Sequence, residues 1–225
     1  YKQLVEQHKT NGLSFKNVTT FNLDEYHQID PANPQSYRSF MTENLFNHVD
    51  IDVNNTYLPT CAVGENPRTQ GLAYEEKIKQ EGGVDLQILG IGANGHIGFN
   101  EPTSSLSSRT RIKTLTQQTI SDNSRLFKSD EEQPTMAMTM GIATIMDARY
   151  VLLMATGANK ASAVKEMITG GVSAMCPASA LQMHENAIVL LDKAAASELS
   201  DQSYYQWADN ENRKLIEHYG YFHNY

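Results

Sequence analysis

Residues 85–102 read DLQILGIGANGHIGFNEP, an apolar run of the length of a strand followed at once by a loop rich in glycine. Similar apolar runs lie at residues 17–23, 149–155 and 187–191. Short runs of this kind, bounded by turn-forming residues, are typical of strands. Strands that are apolar along their whole length are expected to be covered on both faces, as they are in parallel sheets.

Amphipathic stretches with helical periodicity alternate with these strands, at residues 36–48, 70–81, 159–169 and 204–219. The alternation predicts an α/β fold: an open, mostly parallel sheet with helices on both faces, that is, a Rossmann-like three-layer sandwich. Ligands of such folds bind at the carboxyl ends of the strands. We therefore expect the catalytic and ligand-binding residues in the loops that follow the strands.

The loop after residues 85–90 has the glycine spacing of a dinucleotide-binding fingerprint, G-x-G-x-x-G, at Gly90, Gly92 and Gly95. That fingerprint must open a helix and be followed by an acidic residue at the end of the next strand. Here Gly98 and Pro102 interrupt any helix, and the following segment is basic. We therefore do not predict a dinucleotide cofactor.

The same loop places His96 between Asn94 and Glu101. A histidine whose tautomer is fixed by a carboxylate and an amide can pass protons near neutral pH. The plainer interpretation is an exposed loop histidine without a role, and the clustering after a strand favours the proton shuttle. No second His or Asp stands at ligand spacing from His96, so we do not predict a metal site.

Two adjacent carboxylates, Asp24 and Glu25, follow residues 17–23. A carboxylate at the carboxyl edge of a sheet can act as a general base beside a bound ligand. The alternative is a helix cap or a solvated turn, and the residues alone leave both open.

Basic residues suited to small anions stand at two places. Arg125 and Lys160 are the first pair, and Lys160 begins a predicted helix, where the helix N-terminus also favours an anion. The second group is Arg111 and Lys113 with the neighbouring Arg109, downstream of Ser104 and Ser105. A solvated surface charge is the alternative for each.

Composition limits the class of protein. The 225 residues carry a formal net charge of -8, with 40% hydrophobic and 20% charged residues, which is typical of a globular protein and predicts a single domain over residues 1–225. The acidic balance argues against nucleic acid and anionic membranes as partners, and no apolar run has the length of a membrane span. Two cysteines are too few for a disulfide framework, so we expect a cytoplasmic protein.

Taken together, several segments resemble the glucosamine-6-phosphate deaminase (isomerase) family. They are TFNLDEY at 20–26, NPQSY at 33–37, LGIGANGHIGFNEP at 89–102, SLSSRTRIKTLT at 105–116, NSRLF at 123–127 and GANK at 157–160. The resemblance implies conversion of glucosamine 6-phosphate and water to fructose 6-phosphate and ammonium in amino-sugar (N-acetylglucosamine) catabolism, with no cofactor.

The resemblance also implies roles for individual residues. His96 would open the pyranose ring, oriented by Glu101 and Asn94, and Asp24 would move a proton from C2 to C1. Some members carry Asp where this chain has Asn94, and an amide cannot supply that second negative charge.

The family's anion sites match the two basic groups. Arg125 and Lys160 would hold the substrate phosphate. Ser104, Arg111 and Lys113 match an allosteric site for the activator N-acetylglucosamine 6-phosphate between subunits of a hexamer, so we expect an activatable homo-oligomer.

One part of the family pattern has no counterpart. The remaining phosphate contacts come from a Thr/Gly-rich turn near the N-terminus, and this sequence contains no such turn. We therefore expect the family's N-terminal strand and phosphate loop to be absent from this chain.

Two alternatives stay open. A 6-phosphogluconolactonase-like hydrolase has a similar glycine-histidine loop, although the continuation FNEP and the DEY motif favour the deaminase. A non-catalytic sugar-phosphate sensor is the other, and the presence of Asp24, His96 and Glu101 argues against it.

Overall fold

The structure is a computed structural model that describes residues 1–124, 127 and 133–219, apart from the side chain of Asp122. The strands in these residues are short. They are β1 Thr20–Phe21, β2 Asp24–Tyr26, β3 Thr56–Tyr57, β4 Leu86–Leu89, β5 Arg111–Thr114, β6 Met136–Thr139, β7 Tyr150–Ala155 and β8 Ala187–Leu191.

Helices alternate with the strands, as predicted. The α-helices are α1 Lys2–Asn11, α2 Tyr37–Asn44, α3 Pro67–Gln80, α4 Gln117–Ser124, α5 Ile142–Met146, α6 Ala161–Thr169 and α7 Gln202–Tyr219. Short 3₁₀ turns extend two of them: Phe46–His48 follows α2, and Ala158–Lys160 leads into α6.

The prediction of a mixed α/β fold with parallel strands is confirmed. Strands β4, β7 and β8 form one parallel sheet in the order β4-β7-β8, and β1 pairs with β3 in a second parallel sheet. The third sheet, in the order β2-β6-β5, is antiparallel. The segment predicted as one strand at residues 17–23 contributes only β1, after which the chain enters the antiparallel sheet as β2.

One expectation about the parallel sheet is wrong. The strands were expected to be covered on both faces, but burial alternates along β4 and β7. Leu89, Val151 and Leu153 are buried, whereas Leu86 is 50% exposed and Met154 is 46% exposed. Apolar composition along a strand does not reveal whether a second layer is present, and here one face is open.

The chain divides into two compact units, each with its own core. The first unit comprises Tyr1–Gly83 and Arg109–Gly141, and its core includes Phe15, Met41 and Phe46. The second comprises Val84–Ser108 and Ile142–Tyr225, with fully buried Ile97, Ile142, Ile145 and Val151. The single domain over residues 1–225 stays a prediction.

No helix in the described part of the chain combines the length and apolar character needed to cross a bilayer.

Candidate active site

The loop after β4 is closed by its own backbone. Gly92 N–H donates to the His96 carbonyl over 2.9 Å, and Gly95 N–H donates to the Gly92 carbonyl over 3.0 Å. Gly95 has a φ of 84°, a conformation that glycine adopts without strain. A Cβ atom on Gly92 would lie 2.3 Å from the His96 ring, so only glycine fits there. No helix occurs between β4 and β5, so the glycine loop does not open a helix, as Gly98 and Pro102 predict.

This tight loop brings Asn94, His96 and Glu101 together. His96 Nδ1 lies 2.7 Å from Asn94 Oδ1 and 3.2 Å from Glu101 Oε2. Asn94 Nδ2 in turn donates to the same Glu101 oxygen over 2.8 Å. Because both oxygens near Nδ1 are acceptors, the hydrogen-bond network assigns the neutral ring proton to Nδ1. The other ring nitrogen, Nε2, has no partner among the described residues and keeps its lone pair for a ligand.

The carboxylate of this cluster is well anchored. Glu101 is only 4% exposed, and its carbonyl accepts the Ser104 N–H over 3.0 Å. The loop is also tied to the segment after α6, because the N–H of Ala178 donates to the Gly95 carbonyl over 2.9 Å. The half-buried side chain of His96 therefore lies in a loop whose position is fixed by these hydrogen bonds.

Lys160 lies at the same edge of the parallel sheet as this loop. Strands β4 and β7 are parallel neighbours with Leu89 opposite Leu153, so the chain leaves both strands at one edge. Lys160 ends the 3₁₀ turn after β7 and directly precedes α6. The turn is anchored by Asp192, whose two carboxylate oxygens accept the Gly157 N–H over 3.1 and 3.0 Å. The other predicted phosphate ligand, Arg125, lies outside the described residues.

A pocket of about 470 Å³ opens beside the histidine loop within the second unit. Asn94 lines it from the loop, and Glu166 and Ser162 line it from α6. Among the residues described, no three His, Cys, Asp or Glu side chains are grouped so as to hold a metal ion.

In the first unit, the two adjacent carboxylates have different surroundings. Asp24 and Glu25 alternate on β2, so their side chains point to opposite faces. Glu25 is buried and accepts the backbone N–H groups of Tyr37 and Arg38, the first two residues of α2, each over 3.0 Å. The helix-cap interpretation is therefore correct for Glu25.

The carboxylate of Asp24, by contrast, receives no hydrogen bond from the described residues. Burial, and then the charge of Glu25, raises the pKa of Asp24 to about 7. The charge of Asp24 in turn adds to burial in raising the pKa of three phenols, those of Tyr26, Tyr37 and Tyr74. Asp24 is thus a carboxyl group that can take up and release a proton near neutral pH.

The aromatic cluster beside Asp24 was not predicted from the sequence. The rings of Tyr26 and Tyr37 stack with centroids 5.6 Å apart, and Phe127 meets Tyr26 edge-on. Asn123 Nδ2 donates to the Tyr26 hydroxyl over 3.0 Å. The one available signal was strand alternation in Asp-Glu-Tyr, which places Tyr26 on the face of Asp24.

The predicted activator residues are divided between the two units. Arg111 and Lys113 lie on one face of β5, opposite Thr139 and Ala137 of β6. Ser104 belongs to the second unit, where its buried hydroxyl has no hydrogen-bond partner among the described side chains and backbone.

Comparison with known proteins places the chain in a family. The family model described as glucosamine-6-phosphate isomerases/6-phosphogluconolactonase matches residues 1–190. A glucosamine-6-phosphate deaminase of Colwellia psychrerythraea is 72% identical over 225 residues, which are 100% of this chain and 84% of that protein. One of Pseudoalteromonas translucida is 60% identical over 99% of this chain and 83% of its own.

Solved structures agree with the fold. A deaminase described as monomeric matches with a TM-score of 0.84 and 42% identity, over 88% of this chain and 81% of that chain. A 6-phosphogluconolactonase from Leishmania guyanensis matches over the same shares, with a TM-score of 0.65 at 18% identity, and supports the fold alone. By sequence and by structure, the chain belongs to the glucosamine-6-phosphate isomerase/6-phosphogluconolactonase family.

Proposed function

We propose that the protein converts glucosamine 6-phosphate and water to fructose 6-phosphate and ammonium. The observation that carries this proposal is the cluster of His96, Asn94 and Glu101. In it, Nδ1 of His96 faces two acceptor oxygens, and Nε2 has no partner among the described residues. The deaminases that are 72% and 60% identical support the choice of substrate.

Each step uses a group with suitable chemistry. His96 Nε2 accepts the proton of the anomeric hydroxyl and returns it to the ring oxygen, which opens the pyranose. Asp24 removes the proton at C2 and delivers it to C1, while one proton passes from the amino group to O1, so that the aldose becomes a ketose imine. Water adds at C2, the C2–N bond breaks, and ammonia leaves and is protonated to ammonium. A carboxyl group with a pKa of about 7 suits a base that must also give its proton back.

The anion sites extend the proposal. Lys160 and Arg125 hold the substrate phosphate, and the position of Lys160 ahead of α6 supports this role. Ser104, Arg111 and Lys113 bind N-acetylglucosamine 6-phosphate as an activator, in a cytoplasmic hexamer. The shared face of Arg111 and Lys113 on β5 supports a site for one phosphate.

The reaction is tested by measuring ammonium and fructose 6-phosphate released from glucosamine 6-phosphate. Asp24→Asn should lower kcat by about 10³-fold, because it removes the base. Asp201→Asn, at an exposed position, is the matched control and should keep full activity. Normal turnover by Asp24→Asn would remove Asp24 from the mechanism, and hydrolysis of 6-phosphogluconolactone without ammonium release would support the lactonase alternative.

Regulation is tested separately. We expect N-acetylglucosamine 6-phosphate to lower the substrate concentration that gives half-maximal rate, and Lys113→Met to weaken that response. Light scattering after gel filtration distinguishes a hexamer from the monomeric state described for the 42% identical relative. A monomer whose rate curve the activator leaves unchanged would contradict both parts.

A further inference from the structure

Glu25 is a buried carboxylate for which the proposed reaction has no direct use. It is 2% exposed and lies next to Asp24 on β2. Its oxygens accept three backbone N–H groups, those of Tyr26 at 2.9 Å and of Tyr37 and Arg38 at 3.0 Å each. Burial raises the pKa of Glu25, while these three backbone N–H groups and the charge of Arg38 oppose that effect and favour the ionised form.

The donors come from the start of a helix. Tyr37 and Arg38 open α2, where backbone N–H groups lack partners within the helix and the helix dipole favours an anion. The Ser36 hydroxyl already accepts the next free donor, the Ser39 N–H, over 3.0 Å. Glu25 and Ser36 therefore accept the backbone N–H groups of the first turn of α2, and Glu25 links that turn to β2.

This junction fixes the surroundings of Asp24. Tyr37, whose N–H binds Glu25, stacks its ring on Tyr26, and Tyr26 lies two residues beyond Asp24 on the same face of β2. Asp24 itself pairs with Thr139 of β6 across the sheet. The strand that carries Asp24 is thus held by α2 through Glu25 on one side and by β6 on the other.

The charge of Glu25 also has few ways to be neutralised. The charge of Arg38 lowers the pKa of Glu25, although its guanidinium donates to Thr56 Oγ1 at 2.8 Å and to the Thr56 carbonyl at 3.0 Å. The other ionisable groups facing this region are the phenols of Tyr26, Tyr37 and Tyr74, together with Arg111 beyond Thr139. The phenols are neutral at physiological pH, so Glu25 is the like charge that Asp24 meets.

We propose that Glu25 is a positioning residue for the reaction: its carboxylate, held by the N-terminus of α2, fixes the strand that carries Asp24 and controls the protonation of Asp24. The inference rests on the proposed role of Asp24 as the base. It adds a reason for the paired carboxylates, because one residue reacts and its neighbour supplies a fixed negative charge.

The test is the pH dependence of kcat, which reports groups in the enzyme–substrate complex. Glu25→Gln keeps the shape of the side chain and removes its charge. Since a nearby negative charge raises the pKa of Asp24, its loss should move the acidic limb of the profile to lower pH by about one unit. We also expect kcat at the optimum to fall about tenfold, with KM within about threefold of the original, because the base is less well placed.

A further variant makes the result decisive. Glu25→Asp keeps the charge, and its acidic limb should shift less than that of Glu25→Gln. The limb of Glu25→Asp should stay close to that of the original protein, and this measurement stands even if Glu25→Gln does not fold. An unmoved limb in folded Glu25→Gln, or a limb in Glu25→Asp that moves to lower pH by about one unit, would overturn the proposal. Full activity of Asp24→Asn would instead contradict the proposed function.

Discussion

The two ring nitrogens of His96 have different surroundings, and glycine makes this possible. Nδ1 faces Asn94 and Glu101, while Nε2 is open among the described residues. The ring occupies the space that a side chain at position 92 would need. The three polar residues could be predicted from the sequence because they lie within one short loop. That Gly92 leaves the space occupied by the ring could not be predicted.

Replacing Gly92 should lower the activity, whereas replacing a glycine with free space around it should not. In Gly92→Ala, a methyl group 2.3 Å from the imidazole must displace the ring. We expect kcat/KM to fall about 100-fold, because a small misplacement of a reacting group is costly. Gly90→Ala is the control, since a Cβ there meets nothing within 4 Å, and it should retain activity. Equal losses in both variants would contradict the steric explanation.

Asp24 should also affect stability in a pH-dependent way. Its pKa is about 7 in the folded protein against 3.8 in the unfolded chain, because burial and Glu25 disfavour the charged form. Between these values the folded state binds more protons, so the contribution of Asp24 becomes less favourable as pH rises from about 4 to 7.

Asp24→Asn removes that penalty. We expect the variant to be more stable than the original at pH 8 by about 2–4 kcal/mol and to show little gain at pH 4, measured by urea unfolding. Asp201→Asn provides the baseline at an exposed position. A gain that is independent of pH would argue against an ionised Asp24 as its cause.

At the level of elements, local sequence patterns predicted the positions of strands and helices better than they predicted which strands pair. The apolar runs at β4, β7 and β8 and helix α6 between β7 and β8 lie where the pattern placed them, whereas α4 and α5 were not predicted. The separation of β2 from β1 was not predictable, because β2 pairs with β6, far along the chain. Likewise, nothing in Asp24-Glu25 alone shows which carboxylate meets the start of α2, since that depends on how the two elements pack.

The packing of α3 on the strand that carries Arg111 offers a test at this level. A Cβ atom on Gly71 would lie 2.4 Å from the Thr110 carbonyl, directly before β5. Gly71→Ala should therefore push α3 away and destabilise the protein by about 1–3 kcal/mol in urea unfolding, despite the better helix propensity of alanine. Leu72→Ala, at the neighbouring exposed position, should change stability by less than about 0.5 kcal/mol. A stabilised Gly71→Ala would refute the contact.

Across the molecule, the parallel sheet is covered more completely on one face than on the other. Leu153 and Val151 are fully buried, whereas Leu86, Ile88 and Leu190 are exposed. Exposed apolar residues on one face of a sheet, here on β4 and β8 with β7 between them, form a patch of the kind that binds other apolar surfaces. The sequence could not reveal this, because buried and exposed positions of these strands have the same apolar composition.

This patch should govern the behaviour of the 225-residue chain in solution. We expect the double variant Ile88→Thr with Leu190→Thr to bind less of a hydrophobic dye and to aggregate more slowly, with unfolding free energy changed by less than about 1 kcal/mol. Leu153→Ala, on the buried face, should instead cost about 2–5 kcal/mol. A double variant as destabilised as Leu153→Ala would mean that the face is covered.

The antiparallel sheet places Asp24, Thr139 and Arg111 in one row across three strands. Two ladders of main-chain hydrogen bonds set the separation between the outer strands at about 10 Å. Rotation of the side chains does not change this separation. Moving the outer strands apart or together would break both ladders. A change in sheet twist is therefore the motion that would move Arg111 and Asp24 relative to each other while both ladders stay intact.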